Sequence, residues 1–149
     1  MPSNNIPDYD QLFASMLQLN KLIAQHTHET REEKIATMLQ FAALNYIKDQ
    51  PNIPVSDLCS HLQLSKSSAT QLVERLVKSE FVERVDDKED RRIIRLVITK
   101  NGEARLFDIK KNMVDKLKKI FSKIPAKDTR ELIRIQNELI ETLRKEHNN

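Results

Sequence analysis

The sequence predicts a mainly α protein of six helices with one small β wing, and three observations carry that prediction. Apolar residues recur at helical spacing before and after residue 80. A period-2 run broken by a polar tip lies between Phe81 and Thr99. The 149 residues include only one glycine and five prolines. With 39% hydrophobic residues the chain can bury one domain-sized core, so residues 1–149 read as a single protomer.

Met1 to Pro7 is polar with two prolines and is expected to be disordered. A first helix is expected from about Asp8 to His26, with Leu12, Phe13, Met16, Leu19, Leu22 and Ile23 on a broad apolar stripe. His26 and His28 form an HxH pair, but without a cysteine at ligand spacing they do not make a metal site. Thr30 and Glu33 make a capping box for a second helix reaching about Lys48. Its Met38, Leu39, Phe41, Ala42, Leu44 and Ile47 read as core. The run QPNIP ends that helix, and Ile53 is placed to add a short strand against the hairpin.

The run VSDLCSHLQL puts Val55, Leu58, Cys59 and Leu62 on one helical stripe, starting from Ser56 as N-cap. Gln63 and Leu64 break the stripe. Ser65 then caps a fourth helix, SKSSATQLVERLVK, whose apolar face is Ala69, Leu72, Val73 and Leu76. Its outer face carries Lys66, Ser67, Ser68, Thr70, Gln71 and Arg75. Hydroxyls and cations hold phosphate oxygens, a helix N-terminus favours anions, and Gln71 can read a base edge, so this face suits a major groove. The plain alternative is a solvated helix face. Phe81, Val82 and Val85 begin a strand, DDKEDR forms a polar tip, and RIIRLVIT returns with Ile94, Leu96 and Ile98 alternating against Ile93, Arg95 and Val97. Helix, turn, helix, hairpin is the order of a winged helix-turn-helix.

The run ERVDDKEDRRIIRLVITKNG (Glu83 to Gly102) resembles the wing signature of the MarR (multiple antibiotic resistance regulator) transcription factors, and LSKSSATQLVERL (Leu64 to Leu76) is similar to that family's recognition helix. The spacing of Thr37, Gln40, Leu44 and Ile47 in the second helix also resembles the family. The resemblance implies that Asp90 orients Arg92, that Arg92 enters the minor groove, and that the recognition helix fills the adjacent major groove. A guanidinium suits a narrow minor groove, where the negative potential is enhanced. The resemblance further implies that Ser65, Ser67, Ser68, Gln71 and Arg75 face DNA and that Arg91 contacts phosphate. Two positions depart from the pattern. Glu80 stands where the family usually has glycine, and a side chain there costs about 1 to 2 kcal/mol if the backbone is left-handed. The wing tip is also acidic, with Asp86, Asp87, Glu89 and Asp90 against Lys88, Arg91 and Arg92. Minor-groove insertion requires those carboxylates to point away from phosphate.

A fifth helix is expected from about Lys100 to Lys123, stopped by Pro125, and Asp128 and Glu131 are placed to cap the last one. Leu132, Ile135, Leu139, Ile140 and Leu143 line that last helix. Long apolar faces on terminal helices with no domain of their own to cover point to an intertwined homodimer. Its expected contacts include Leu12, Leu19, Leu132, Ile135, Leu139 and Leu143. The organisation is therefore a lobe over residues 30–100 and dimerisation helices over 8–28 and 101–147. A two-fold dimer would present its recognition helices to half-sites about 10 bp apart.

The 25 Lys and Arg against 22 Asp and Glu leave a net charge of +3, so bulk charge does not announce a nucleic-acid partner. No apolar run is long enough for a membrane span or a secretory signal, and a cytoplasmic protein is expected. Cys59 is the only cysteine, which excludes an intrachain disulfide. It falls on the buried stripe at a position where the family usually has alanine, and reads as a small core residue rather than a redox sensor. There is no GxGxxG or Walker motif and no nucleophile with a base at credible spacing, so neither catalytic residues nor a cofactor are expected. The reading that results is a homodimeric, sequence-specific regulator of double-stranded DNA. By family habit it is a repressor, released when a small-molecule effector enters a cleft lined by Leu12, Met16, Phe41, Leu44, Tyr46 and Phe107. A winged-helix module that binds another protein instead of DNA is the alternative.

Overall fold

The computed structural model describes residues 8–26, 30–90 and 92–147, with the side chains of Ala24, His26 and His147 excepted. The expected disorder of residues 1–7, the His26 and His28 pair, and the phosphate contact at Arg91 fall outside what is described. The elements run α1 (Tyr9–His26), α2 (Arg31–Asp49), β1 (Ile53–Pro54), α3 (Val55–His61), α4 (Lys66–Lys78), β2 (Val82–Asp86), β3 (Ile94–Ile98), α5 (Lys100–Phe121) and α6 (Ala126–His147). This is the expected set of six helices with a small wing.

The capping box on α2 forms as its sequence dictates. The Thr30 hydroxyl accepts from the Glu33 amide at 3.2 Å, and the Glu33 carboxylate accepts from the Thr30 amide at 2.7 Å. Those bonds hold the Glu33 carboxyl below its ordinary range. The helix starts at two other places differ from expectation. Ser56 does not cap α3: the helix begins at Val55 and its cap position is Pro54, which makes no side-chain capping bond. Nor do Asp128 and Glu131 open α6. The Pro125 carbonyl already accepts from the Asp128 and Thr129 amides, so the helix starts directly after the proline, and Glu131 pairs with Arg134 instead.

The sheet has the order β1-β3-β2 and is antiparallel throughout, with Ile53 opposite Leu96 and Arg84 opposite Leu96 on the other side. Leu96 is therefore the centre of a three-strand ladder. It is fully buried in one cluster with Leu44, Ile47, Leu58, Val73, Leu76 and Val82. The core thus sits between α2, α3, α4 and the sheet, and Leu106 of α5 closes it.

Both helices of the helix-turn-helix end in the same way. After α3, the Leu64 amide donates to the Cys59 carbonyl and the Gln63 amide to Ser60; after α4, Phe81 donates to Leu76 and Glu80 to Val77. These are paired Schellman closures, and each places its turning residue in the left-handed region, with φ of 52° at Gln63 and 58° at Glu80. Cys59 has a concrete role in the first turn: its Sγ donates to the Leu64 carbonyl at 3.0 Å, answering the amide bond that runs the other way. The turn at Glu80 thus keeps the geometry glycine would give it.

α1 and α6 contribute none of the principal packings, which lie among α2, α3, α4, α5 and the strands. Leu12, Met16 and Leu19 on α1 stay exposed, as do Leu132, Ile135, Leu139 and Leu143 on α6.

Candidate nucleic-acid interface

α4 presents its two faces as the sequence divides them. Ala69, Leu72, Val73 and Leu76 are buried, while Lys66, Ser67, Ser68, Thr70, Gln71 and Arg75 are exposed on the other side. The first turn is organised by its own hydroxyls. Ser65 Oγ accepts from the Ser68 amide at 3.2 Å and donates to Ser68 Oγ at 2.9 Å, which fixes the entry of the helix. Thr70 Oγ1 donates back to the Lys66 carbonyl at 2.8 Å, leaving its lone pairs outward. Among the described residues the side chains of Lys66, Gln71 and Arg75 have no polar partner, so they can meet phosphates and base edges without giving up a bond.

The wing tip is built around a residue that sequence reasoning did not single out. Asp87 Oδ1 accepts from the Glu89 amide at 2.8 Å and the Asp90 amide at 2.9 Å, and its Oδ2 accepts from Arg95 Nε. The Asp90 amide, the Arg95 guanidinium and the Glu89 amide together hold the Asp87 carboxyl down at about 2. Asp90 acts next: its Oδ1 accepts from the backbone amide of Arg92 at 2.9 Å, and its carbonyl accepts from the Ile93 amide. Asp90 thus meets Arg92 through the main chain alone, and the Arg92 guanidinium is left exposed and without a partner among the described residues. Two of the four tip carboxylates are consumed by local amides, so only Asp86 and Glu89 remain as open acidic groups.

α4 and the wing face one another across a groove of about 430 Å³ lined by Ser56, Thr70, Glu74, Arg84 and Arg92 among others. Arg92 and Thr70 are thereby brought to the same groove from opposite sides. Sequence reasoning missed Asp87, Arg84 and Arg95. An Asp two and three residues before unpaired amides is a turn signal that points to Asp87. Arg95 is marked by being the one charged residue within the returning strand. Arg84 carries no such signal.

The six residues expected to line an effector cleft are not brought together. Leu44 is fully buried and Phe41 packs against the core. Tyr46 stacks on His61 with ring centroids 3.7 Å apart, and Leu12, Met16 and Phe107 face outward. The cleft between α1, α2 and α5 is a different one, of about 580 Å³, lined by Asn20, Ile23, Lys34, Thr37, Met38, Arg105, Ile109, Asn112, Met113 and Lys116. Arg105 is held at its edge by Gln40 Oε1, to which its Nε donates at 2.9 Å. Phe41 and Leu44 take the core places that the helical stripe of α2 assigns them rather than the cleft that family habit suggests, whereas Met38, also read as core, is exposed at the cleft.

Comparison with known proteins agrees with this architecture. Residues 36–94 match the model of the MarR family, a span from the second turn of α2 to the start of β3. The chain is 24% identical over 142 residues to the HTH-type transcriptional regulator YsmB of Bacillus subtilis, covering 93% of this chain and 95% of that one. It is 25% identical over 104 residues to the HTH-type transcriptional repressor MdtR of the same organism, covering 67% of each. The crystal structure of YusO from Bacillus subtilis superposes with a TM-score of 0.71 at 20% identity, over 91% of this chain and 99% of that one. With its helix-turn-helix, wing and flanking helices in this order, the chain has a winged helix-turn-helix fold, and residues 36–94 within it are similar to the MarR family of transcriptional regulators.

Proposed function

We propose that this protein is a homodimeric repressor that reads an inverted repeat, with α4 in the major groove and Arg92 in the adjoining minor groove. The observation that carries the reading is the groove between α4 and the wing. Thr70 and Glu74 of α4 line one side of it and Arg84 and the unpartnered Arg92 guanidinium the other, while Lys66, Gln71 and Arg75 stand exposed on α4 outside the groove, an arrangement that suits a protein straddling one phosphate strand. Ser65, Ser67, Ser68, Gln71, Arg75 and Arg92 are the contacts expected, with residues 30–100 as the DNA-binding lobe. The dimer reading, with 8–28 and 101–147 as its helices, draws on the exposed apolar faces of α1 and α6, which otherwise meet water over most of their length. Repression is the activity named for MdtR. Release by a small molecule would work through the cleft between α1, α2 and α5. A ligand there weakens DNA binding only by favouring a lobe arrangement that the operator disfavours.

The test is selection of bound duplexes from a random DNA library at near-physiological salt, with Arg92→Ala in parallel. Enrichment of an inverted repeat by the parent protein, weakened in the variant, supports the reading. A folded dimer that enriches nothing overturns it and favours a protein-binding module. The open carboxylates of Asp86 and Glu89 at the wing tip would then be the first surface to examine.

A further inference from the structure

Arg95 lies on the middle strand of the sheet, where its backbone pairs with Pro54 on one side and Val85 on the other. Its guanidinium does not reach outward toward a ligand. Nε donates to Asp87 Oδ2 in the wing tip, and Nη1 donates to the Asn52 carbonyl at 2.7 Å in the turn that leads into β1 and α3. Asn52 is itself held in a left-handed conformation, with φ of 64°. From Asp87 the chain of bonds continues through the Asp90 amide at 2.9 Å, and from the Asp90 carboxylate to the Arg92 amide at 2.9 Å. A continuous polar path therefore connects the entry of the helix-turn-helix to the backbone that carries Arg92. The Asp87 side chain is only 9% exposed, so the bond at the centre of this path is shielded from competing water.

We propose that Arg95 is a positioning residue for DNA recognition: by strapping Asp87 to Asn52 it sets the distance between the wing tip bearing Arg92 and the recognition helix. The hairpin beyond residue 86 has no other side-chain bond to the helical lobe among the described residues. Val85 and Ile94 at its outer end are exposed, so apolar packing does little to hold it. A guanidinium is suited to this place because its planar fork serves two acceptors at fixed spacing, which an ammonium does not. The strap leaves Arg92 itself free, consistent with support of a contact rather than participation in it.

This inference rests on the proposed docking of Arg92, and a double-mutant cycle separates the two. Affinity for the enriched duplex is measured for the parent, Arg95→Ala, Arg92→Ala and the double variant, with thermal melting of each. Arg95→Ala is expected to weaken specific binding about fivefold or more in the parent but by less than about twofold when Arg92 is already alanine, because it acts through that side chain. Arg95→Lys, which keeps the charge but not the fork, should recover only part of the loss. Equal losses from Arg95→Ala in both backgrounds would assign Arg95 a general structural role and overturn the inference, as would no loss in either. If Arg92→Ala alone leaves affinity unchanged, the docking reading fails first. Should Arg95→Ala melt below the assay temperature, Arg95→Gln run through the same cycle decides by the same criterion.

Discussion

The Thr99 hydroxyl donates to the Glu80 carbonyl at 2.6 Å and accepts from the Gly102 amide at 3.0 Å, so one side chain ties the turn after the recognition helix to the first turn of α5. The Thr99 amide adds a bond to the Phe81 carbonyl at 3.0 Å. The threonine and glycine that follow the wing are thus the clamp that fixes where α4 ends and α5 begins. Glu80 is held left-handed inside that clamp. Replacing it with glycine keeps every one of these bonds, because residue 80 enters them only through its main-chain carbonyl, and removes the clash of a Cβ in that region. Glu80→Gly is expected to stabilise the protein by about 0.5 to 1 kcal/mol, read as a shift of the urea midpoint at constant slope.

Gly102 tests the other half of the clamp. A Cβ there would overlap the Phe81 carbonyl oxygen and approach Ile98 Cγ1 to 2.8 Å. The first of these is backbone already bonded to Thr99, so it has nowhere to retreat. Gly102→Ala is expected to destabilise by about 2 to 3 kcal/mol, visible as a lowered melting temperature. An alanine variant that melts with the parent would show that α5 can slide along the sheet.

The wing tip responds to acid in a defined window. The Asp87 carboxyl is lowered from an ordinary value of 3.8 to about 2, so its anionic form favours the folded state. The stability it contributes is complete above pH 3.8 and is lost as pH falls through about 2. Asp87→Asn is therefore expected to be less stable than the parent at pH 5, with the gap closing as the pH approaches 2. Denaturation midpoints of both proteins across that range measure the closure, and a gap that stays constant would remove Asp87 from its role at the tip.

Removing residues 126–149 takes away α6, whose Leu139 and Leu143 are 58% and 64% exposed in the protomer. The expected product is a monomer or an aggregate, because the remaining apolar faces of α1 and α5 lose what would cover them. Sedimentation of the truncated chain decides, and a well-folded dimer would place the interface elsewhere.

Much of this is legible in the amino-acid sequence because it rests on local periodicity. The buried face of α4, the capping box at Thr30, the cap at Ser65 and the strand at Ile53 depend on neighbours within a few residues. The helix starts at Val55 and Ala126 are less legible, since a proline beside a serine or an aspartate offers two rival beginnings and only the chain geometry chooses. The inward positions of α2 show the same limit from another side. Periodicity says that Phe41 and Leu44 are apolar-facing, but not whether they face a cleft or a core. Asp87 and Arg95 are the hardest case. They meet because the hairpin's register brings together positions eight apart in sequence, and no local rule announces a pairing that the opposing strand creates.

Every left-handed residue of the described chain, at Asn52, Gln63 and Glu80, bears a side chain, while the single glycine sits in ordinary helical backbone. The folded turns carry strain as a result, but the denatured chain has almost no freely pivoting links. Each such position restricts the unfolded ensemble by about 0.4 to 1 kcal/mol relative to glycine, so less conformational freedom is surrendered when the turns close. The cost of the turns to the native state is thereby partly returned through the state from which it folds.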